Sequence, residues 1–567
     1  MAVTIGKKKI KGHYYYFARE SKRVNGKPRI VFQKYLGKAE KIIDAVEQKP
    51  AIPDISQAVI SEFGAVTALF DIAERLDLVR IIDETVPKRN QGVSIGYYML
   101  IAALNRCVCP KSKAKIGDWF QETPLRRLTP ATKSQLSSKR FWDNMQCLDE
   151  TTIQTIEQTV TQRMVDQFKI DTRCLLFDAT NFFTFIDSFN DGSTLAQRGN
   201  SKEKRNNLRI VGLALLASMD FGIPLFHDTY PGNRPDAKEF ESLTDRIVAR
   251  YKTLANSVEN ITLVFDKGNN SQDNLSAIDA SPYHFVGSLK RNQCPEMADL
   301  KQEWLDPLNH PRLYGVTAFR YPRYIFGADR TVVVTHNEQL FLAQSQSLLR
   351  EIRKRTQHLN KLGQMLSQRR AGQIKGGRPP TVASVKKQAT EILKGQYVKD
   401  IVQINVIERD GLPELSYRVD QEILNRIFSE NLGKTILFTD NHEWSTEEIV
   451  LAYRGQARIE DCFKTMKNPH FVSWGPMFHW TDHNVRVHAF YCVIALLLVS
   501  LLQRELHQSG IDLSITSMIE ELSKIREVAI MYDGAGKDQK PTLTLSKLTP
   551  TQQKLFDVLQ LNRYLEV

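Results

Sequence analysis

Cysteine is sparse in this chain of 567 residues: seven thiols, scattered as Cys107, Cys109, Cys147, Cys174, Cys294, Cys462 and Cys492. None forms a C-x-x-C pair, and Cys107 and Cys109 have no neighbouring histidine to complete a zinc site. This argues against a disulfide framework and for a reducing cytoplasm. Long hydrophobic runs are also missing. The most apolar stretch, Ala489 to Leu502, is too short to span a bilayer and reads as a buried helix, so no membrane role is expected. Lys7, Lys8, Lys9 and Lys11 open the chain without a following apolar segment, and no signal peptide is evident. No repeat of fixed period is present. Apolar residues are not in short supply: 42% against 25% charged excludes intrinsic disorder as the main state.

The chain has an excess of basic charge, +13, with an isoelectric point near 9.2, which favours a polyanionic partner, most simply nucleic acid. Its length suggests three or four domains. Residues 1–45 read as a basic β-hairpin module. Tyr14–Phe17 and Arg29–Phe32 are strand-like, Asn25-Gly26 is a turn signal, and interleaved lysines and aromatics suit contact with a DNA backbone. A Pro-containing linker leads to a helical region over 57–169, for reading DNA or for a dimer contact, between which the sequence does not choose.

Residues 170–290 alternate strands with helix. Cys174–Thr180, Leu208–Met219, Ile223–Phe226 and Ile261–Phe265 are apolar strands, Asp220-Phe-Gly222 is a turn, Asp236–Tyr251 has helical composition, and His284–Lys290 is a fifth strand. Residues 291–433 read as an insertion of β-like pieces around a basic helical segment holding Arg350, Arg353, Lys354 and Arg355. The core resumes over 434–510 with a strand at Lys434–Thr439 and a helix opened by the capping box Ser445-Thr-Glu-Glu448. Residues 511–567 are expected to be a helical tail.

Three carboxylates stand out. A lone Asp at a strand end is most often a turn or cap residue. Asp178 and Asp266, however, sit on separate apolar strands, where unpaired carboxylates cost free energy unless cations meet them. An all-oxygen ligand set is what Mg²⁺ accepts, and a pair of such ions serves phosphodiester chemistry. Glu460 is the third candidate. Tyr453, Glu460 and Lys467 are spaced by seven and share one face of a continuous helix.

With these residues in view, the chain resembles the DDE transposases of bacterial insertion sequences, in the subgroup with a β-rich insertion and a Tyr-Arg-Glu-Lys signature. The resemblance rests on Asp178-x-Thr180, Asp220-Phe-Gly-Ile-Pro224, Asp266, Thr439-Asp-Asn441, Tyr453 through Lys467, Trp474-Gly-Pro476 and His488-Ala-Phe490. It implies an α/β fold with a ribonuclease-H-like catalytic core, and the strand order read above agrees. It implies Asp178, Asp266 and Glu460 as catalytic ligands of two Mg²⁺ ions, for which Mn²⁺ can substitute. Tyr453 and Lys467 would hold DNA phosphates. Gln456 stands where the signature has Arg; Arg454 or Arg458 could supply the charge from another direction, and whether a hairpin intermediate forms is left open. Thr180, Arg198 and Arg205 are further candidates for DNA contact, as Trp304 is for stacking on a base. The implied partners are element ends and target DNA, with two protomers in the active complex, in a cytoplasm where the protein joins the nucleoid when on DNA. The rivals are a metal-dependent nuclease on the same core and a transposase-derived DNA-binding protein without catalysis. His227, His479, His483 and His488 show no ligand spacing and read as surface or packing histidines.

Overall fold

The structure is a computed structural model that describes residues 3–24, 27–47, 55–90, 92–187, 189–199, 207–234, 246, 261–296, 300, 302–532 and 541–565. β1 (Thr4–Ile10), β2 (His13–Val24), β3 (Lys27–Gly37), α1 (Ala39–Glu47) and β4 (Ile55–Glu62) open the chain. Helices follow: α2 (Gly64–Arg75), α3 (Leu78–Thr85), α4 (Ile95–Val108), α5 (Lys113–Gln121), α6 (Leu125–Leu128), α7 (Ser138–Met145) and α8 (Glu150–Phe168). Then come β5 (Cys174–Thr184), β6 (Gln197–Arg198), β7 (Arg209–Ser218), β8 (Pro224–Pro231), β9 (Thr262–Val264), α9 (Gln272–Asp279) and β10 (His284–Ser288). β11 (Asp306–Pro307), β12 (Val316–Ile325), β13 (Ala328–Asn337), α10 (Glu338–Arg370), α11 (Val382–Ile392), α12 (Val398–Ile401), β14 (Val402–Arg409), β15 (Leu412–Val419) and α13 (Gln421–Glu430) lead to β16 (Lys434–Thr439). The chain closes with α14 (Thr446–Arg454), α15 (Gln456–Lys467), α16 (Asp482–Gln508), α17 (Ile515–Ser523), β17 (Arg526–Tyr532), β18 (Thr542–Leu545) and α18 (Pro550–Val558).

Two compact units result: residues 1–61 with 527–547, and residues 62–526 with 548–567. In the first, β1, β2 and β3 form an antiparallel sheet, so the lysine run Lys7–Lys9 is a third strand beside the expected hairpin. The ammonium groups of Lys7 and Lys9 lie 5.1 and 5.7 Å from the Tyr14 ring centre, and stacking on an aromatic face is what lets a run of like charges tolerate a strand. The turn residues Asn25 and Gly26 lie outside the described residues. β4 pairs with β17, which pairs with β18. Two expectations are corrected here: residues 57–169 begin in a strand, and residues 511–567 are not wholly helical. β17 carries Val528 and Ala529 in an extended stretch whose backbone groups find partners only across the chain, which no local pattern announces.

The second unit is built on a mixed sheet of order β11-β12-β13-β16-β10-β9-β5-β7, with β6 and β8 on the far side of β7. β9 is parallel to both β5 and β10, and the remaining pairs are antiparallel. β7 is buried from Ile210 to Ser218, which is why it reads as a continuous apolar run. The turn into β8 has Phe221 and Gly222 both at φ +60°, the left-handed pairing that suits a tight hairpin. The helix expected at Asp236–Tyr251 lies almost wholly outside the described residues.

α16 packs against α4, α2 and β8. Its most apolar window is long enough to cross a membrane but is 94% buried inside the protein, so it is a core helix. Leu496, Leu498, Leu501 and Leu502 are each no more than 1% exposed, a gain of about 2 kcal/mol apiece relative to exposure. The stretch 291–433 divides between two surroundings. β12 and β13 continue the main sheet through β16, whereas α10, α11, α13 and β14 enclose their own apolar cluster around Leu359, Leu362, Val385 and Leu424.

Candidate active site

Leu176 on β5 lies opposite Val264 on the parallel β9. Two residues on, Asp178 within β5 and Asp266 just past β9 therefore stand level on neighbouring strands, and the period-two pleat puts them on one face. Asp178 is half-buried, with Oδ1 accepting the N–H of Ala179 at 2.8 Å. Asp266 is also half-buried, and extended backbone at φ −83° keeps it in line with β9. Its Oδ1 accepts the Ser288 hydroxyl at 3.3 Å, and the single Tyr453 hydroxyl proton is shared between Asp266 Oδ1 at 3.2 Å and Ser288 Oγ at 2.8 Å. Ser288 had no sequence signal of its own. It reaches the site because β10 runs parallel beside β9 with Val286 opposite Val264.

The capping box at Ser445 and Glu448 is formed as expected. The helix it opens is not continuous: α14 ends at Arg454 and α15 begins at Gln456, so Tyr453 stands on a different helix from Glu460 and Lys467. Gly455 marks the break. A Cβ there would come 2.9 Å from the Ala452 carbonyl and 3.0 Å from Met219 Cε, so a larger residue would require Met219 to shift.

α15 is moored along β5 at two points. Near its start, Gln456 Nε2 donates to the Phe177 carbonyl at 3.0 Å. At its end, Lys467 Nζ donates to Thr180 Oγ1 at 2.9 Å and lies 5.5 Å from the Phe182 ring centre. The helical rise carries the chain about 16 Å between those moorings, close to the rise of β5 from Phe177 to Phe182. Glu460, one turn past Gln456 on the same helix, is solvent-exposed. Tyr453 registers the gathering of charge. Burial first, then the carboxylates of Asp266 and Glu460, push its hydroxyl up to about 12 against the lowering effect of Ser288.

Three of the other expected contacts are placed differently. Thr180 is buried and holds Lys467 rather than facing outward. Gln456 is buried against β5. Arg458 lies 5.7 Å from the Phe221 ring centre and Arg454 donates to the Arg312 carbonyl at 2.8 Å, so both are engaged away from the carboxylates. Arg454 ends α14, and on α15 position 458 leaves the helix on a different side from 456. Arg198 is exposed on β6, Trp304 leans on Phe319 with centroids 6.2 Å apart, and Arg205 lies outside the described residues.

Among the described residues, no three acidic, imidazole or thiolate side chains stand close enough to close around a metal ion. The three expected carboxylates come from β5, the residues just past β9, and α15; oxygen ligands of this kind are what Mg²⁺ and Mn²⁺ accept.

A family model described as the transposase DDE domain matches residues 147–498. No curated protein matches the chain. Among solved structures, the chain is similar to the cryo-EM structure of a piggyBac transposase synaptic complex with hairpin DNA. The identity is 10%, covering 83% of this chain and 82% of that one, with a TM-score of 0.35, too low to bear on function.

Proposed function

The chain belongs to the transposase DDE domain family, and from that premise we propose that it is the DNA transposase of a bacterial insertion sequence, in the subgroup with a Tyr-Arg-Glu-Lys signature, cutting element ends and joining their 3′-hydroxyls to target DNA. The observation that supports the reading is the mooring of α15, the helix of Glu460, along β5, the strand of Asp178, while Tyr453 hydrogen-bonds Asp266. In this reading the sheet is a ribonuclease-H-like core with residues 291–433 inserted. The antiparallel run β5, β7, β8, followed by β9 and β10 parallel to β5, supports it.

Asp178, Asp266 and Glu460 would hold two divalent cations, Mg²⁺ or Mn²⁺, which when bound supply activation of the attacking oxygen and stabilisation of the leaving one. The protein's own groups do the positioning. Ser288 and Tyr453 fix one oxygen of Asp266, so that the other is free to face the substrate side. With its proton held up to about 12, Tyr453 is a neutral hydrogen-bond donor throughout the physiological range and can serve a phosphate oxygen without adding negative charge. Lys467 carries a positive charge at the solvent edge, where a non-bridging phosphate oxygen would arrive, with Thr180 steadying the amine. Arg198 extends basic charge along the β6 edge. Gln456 takes no part in charge balance: its amide ties α15 to β5. Two protomers on two element ends, working on DNA in the cytoplasm, complete the proposal.

The decisive experiment supplies pre-cut ends bearing free 3′-hydroxyls together with target DNA and Mg²⁺. Joined products are expected. Hydrolysis without joining would make the protein a nuclease, and DNA binding without either would make it a catalytically lapsed relative.

A further inference from the structure

A cavity of about 430 Å³ adjoins the carboxylate end of the sheet, within the size range of small-ligand sites. Ser288 and Tyr453, the two hydroxyls that hold Asp266, form part of its wall, so it opens directly beside the candidate centre. The charged part of the remaining lining is mostly basic, among neutral residues such as Leu289, Gln344, Gln396 and Thr435. Lys267 follows Asp266 at the end of β9, Lys290 and Arg291 follow β10, and Lys434 opens β16. One carboxylate, Glu430, is present, and Arg291 engages it at 3.0 Å. Arg291 is further occupied by the Glu430 carbonyl and the Asn431 side chain. Among the described residues no ion pair reaches Lys267, Lys290 or Lys434. Burial and then the neighbouring Arg291 hold the Lys434 ammonium below the usual lysine range, against the raising effect of Glu430, and an arriving anion would relieve that cost.

We propose that this cavity is the subsite for a DNA backbone phosphate next to the reacting phosphodiester, bound as charge rather than read as sequence. Position supports that ligand over an unrelated anion. Lys290 lies two residues beyond Ser288, about 7 Å along the strand direction, so a phosphate held there is a chain neighbour of one at Asp266. Lys267 is covalently next to Asp266 and links the two places. Three ammonium groups without ion-pair partners among the described residues are point charges suited to phosphodiester oxygens, and they carry no base-edge geometry. The inference rests on the proposed transposase reading for which phosphodiester reacts.

The test uses the full chain in EDTA, where no cleavage occurs, with a twelve-nucleotide single strand. Lysine acetylation followed by peptide mass spectrometry reads each amine separately. Saturating oligonucleotide is expected to slow modification of Lys290 and Lys434 at least about fivefold, whereas inorganic phosphate at equal phosphate concentration leaves both unchanged. The double variant Lys290→Ala/Lys434→Ala is expected to bind about tenfold more weakly. Its plot of log affinity against log salt should be shallower by about 0.7 for each phosphate that the protein no longer neutralises. Unchanged reactivity in the bound complex, no binding at all, or equal protection by inorganic phosphate overturns the proposal. The two readings fail separately. Lysine protection without Mg²⁺-dependent cleavage removes the catalytic assignment alone, and cleavage without protection removes the subsite alone.

Discussion

Two clusters of ionisable side chains occupy the larger unit, and they differ in access and in sign. At the sheet end, Asp178 and Asp266 are half-buried, Glu460 and Lys467 are exposed, and burial pushes the Tyr453 hydroxyl up. Beside α4 and α16, Arg106, Lys113, His479, His488 and Tyr491 are each no more than 8% exposed. Lys113 donates to the Tyr491 hydroxyl, Tyr491 meets His488 Nδ1, and His488 Nε2 donates to the Trp474 carbonyl at 2.7 Å. A carbonyl can only accept, so Nε2 of His488 carries a proton, and burial favours the neutral form of the ring. Arg106 is tied to the carbonyls of Gly475 and Lys111. Burial drives Lys113 and His488 well down and Tyr491 well up, and His479 falls to about 3. These strongly perturbed groups are sealed inside the protein, while the candidate catalytic groups are half-buried or exposed. Perturbation marks a functional site only when access accompanies it.

The sharpest way to break this contrast is to neutralise one member of the open cluster. Asp178→Asn is expected to lower Mg²⁺-dependent DNA cleavage about a thousandfold while leaving the unfolding midpoint within a degree or two. Persistent cleavage would end the catalytic assignment. The sealed cluster should behave in the opposite way. Arg106→Ala leaves a cavity and orphaned carbonyls, and a loss of about 3 kcal/mol is expected in denaturant unfolding. A cost below about 1 kcal/mol would show that water satisfies those carbonyls.

Acid should then separate the clusters without mutation. His479 is held down first by burial and next by the charges of Lys113 and Arg106, whereas unfolded histidine titrates near 6.5. The unfolded chain therefore binds more protons between about pH 3 and 6.5. Stability is complete above that window and declines as pH falls through it, by about 2 kcal/mol at pH 5 from His479, with His488 adding to the loss. Urea midpoints at pH 7.5, 6 and 5 measure it, and a flat profile would mean that the histidines reach water. The smallest effect belongs to Tyr453→Phe. Removing one hydroxyl donor from Asp266 is expected to slow cleavage about fivefold with little change in stability. A change of a hundredfold would assign Tyr453 a larger part than a neutral donor can play.

Much of the open cluster was legible in the residues. Asp178 and Asp266 stand out because each interrupts or ends an apolar strand, and the capping box located the helix leading to Glu460. Gln456 shows the limit of spacing arguments. Its place in the signature suggested a DNA contact, but a buried amide next to the Phe177 carbonyl is satisfied by that carbonyl first. The break at Gly455 was equally hidden, because it depends on Met219 arriving from β7's end of the sheet. Ser288 and the lysines around the adjoining cavity carry no local pattern at all.

By itself the sequence determined the alternation of strand and helix, the apolar core helix α16, the basic excess and the carboxylates that have no business in apolar strands unless a cation meets them. Those features depend on side-chain periodicity and desolvation cost, both local to a few residues. Only the tertiary structure decided which strands lie parallel, and so that Asp178, Asp266 and Ser288 share one end of the sheet. It also decided that α15 lies along β5, and that the C-terminal β17 and β18 join β4. Such pairings are chosen by contacts between residues far apart in the chain, where burial and backbone hydrogen bonding outweigh local preference.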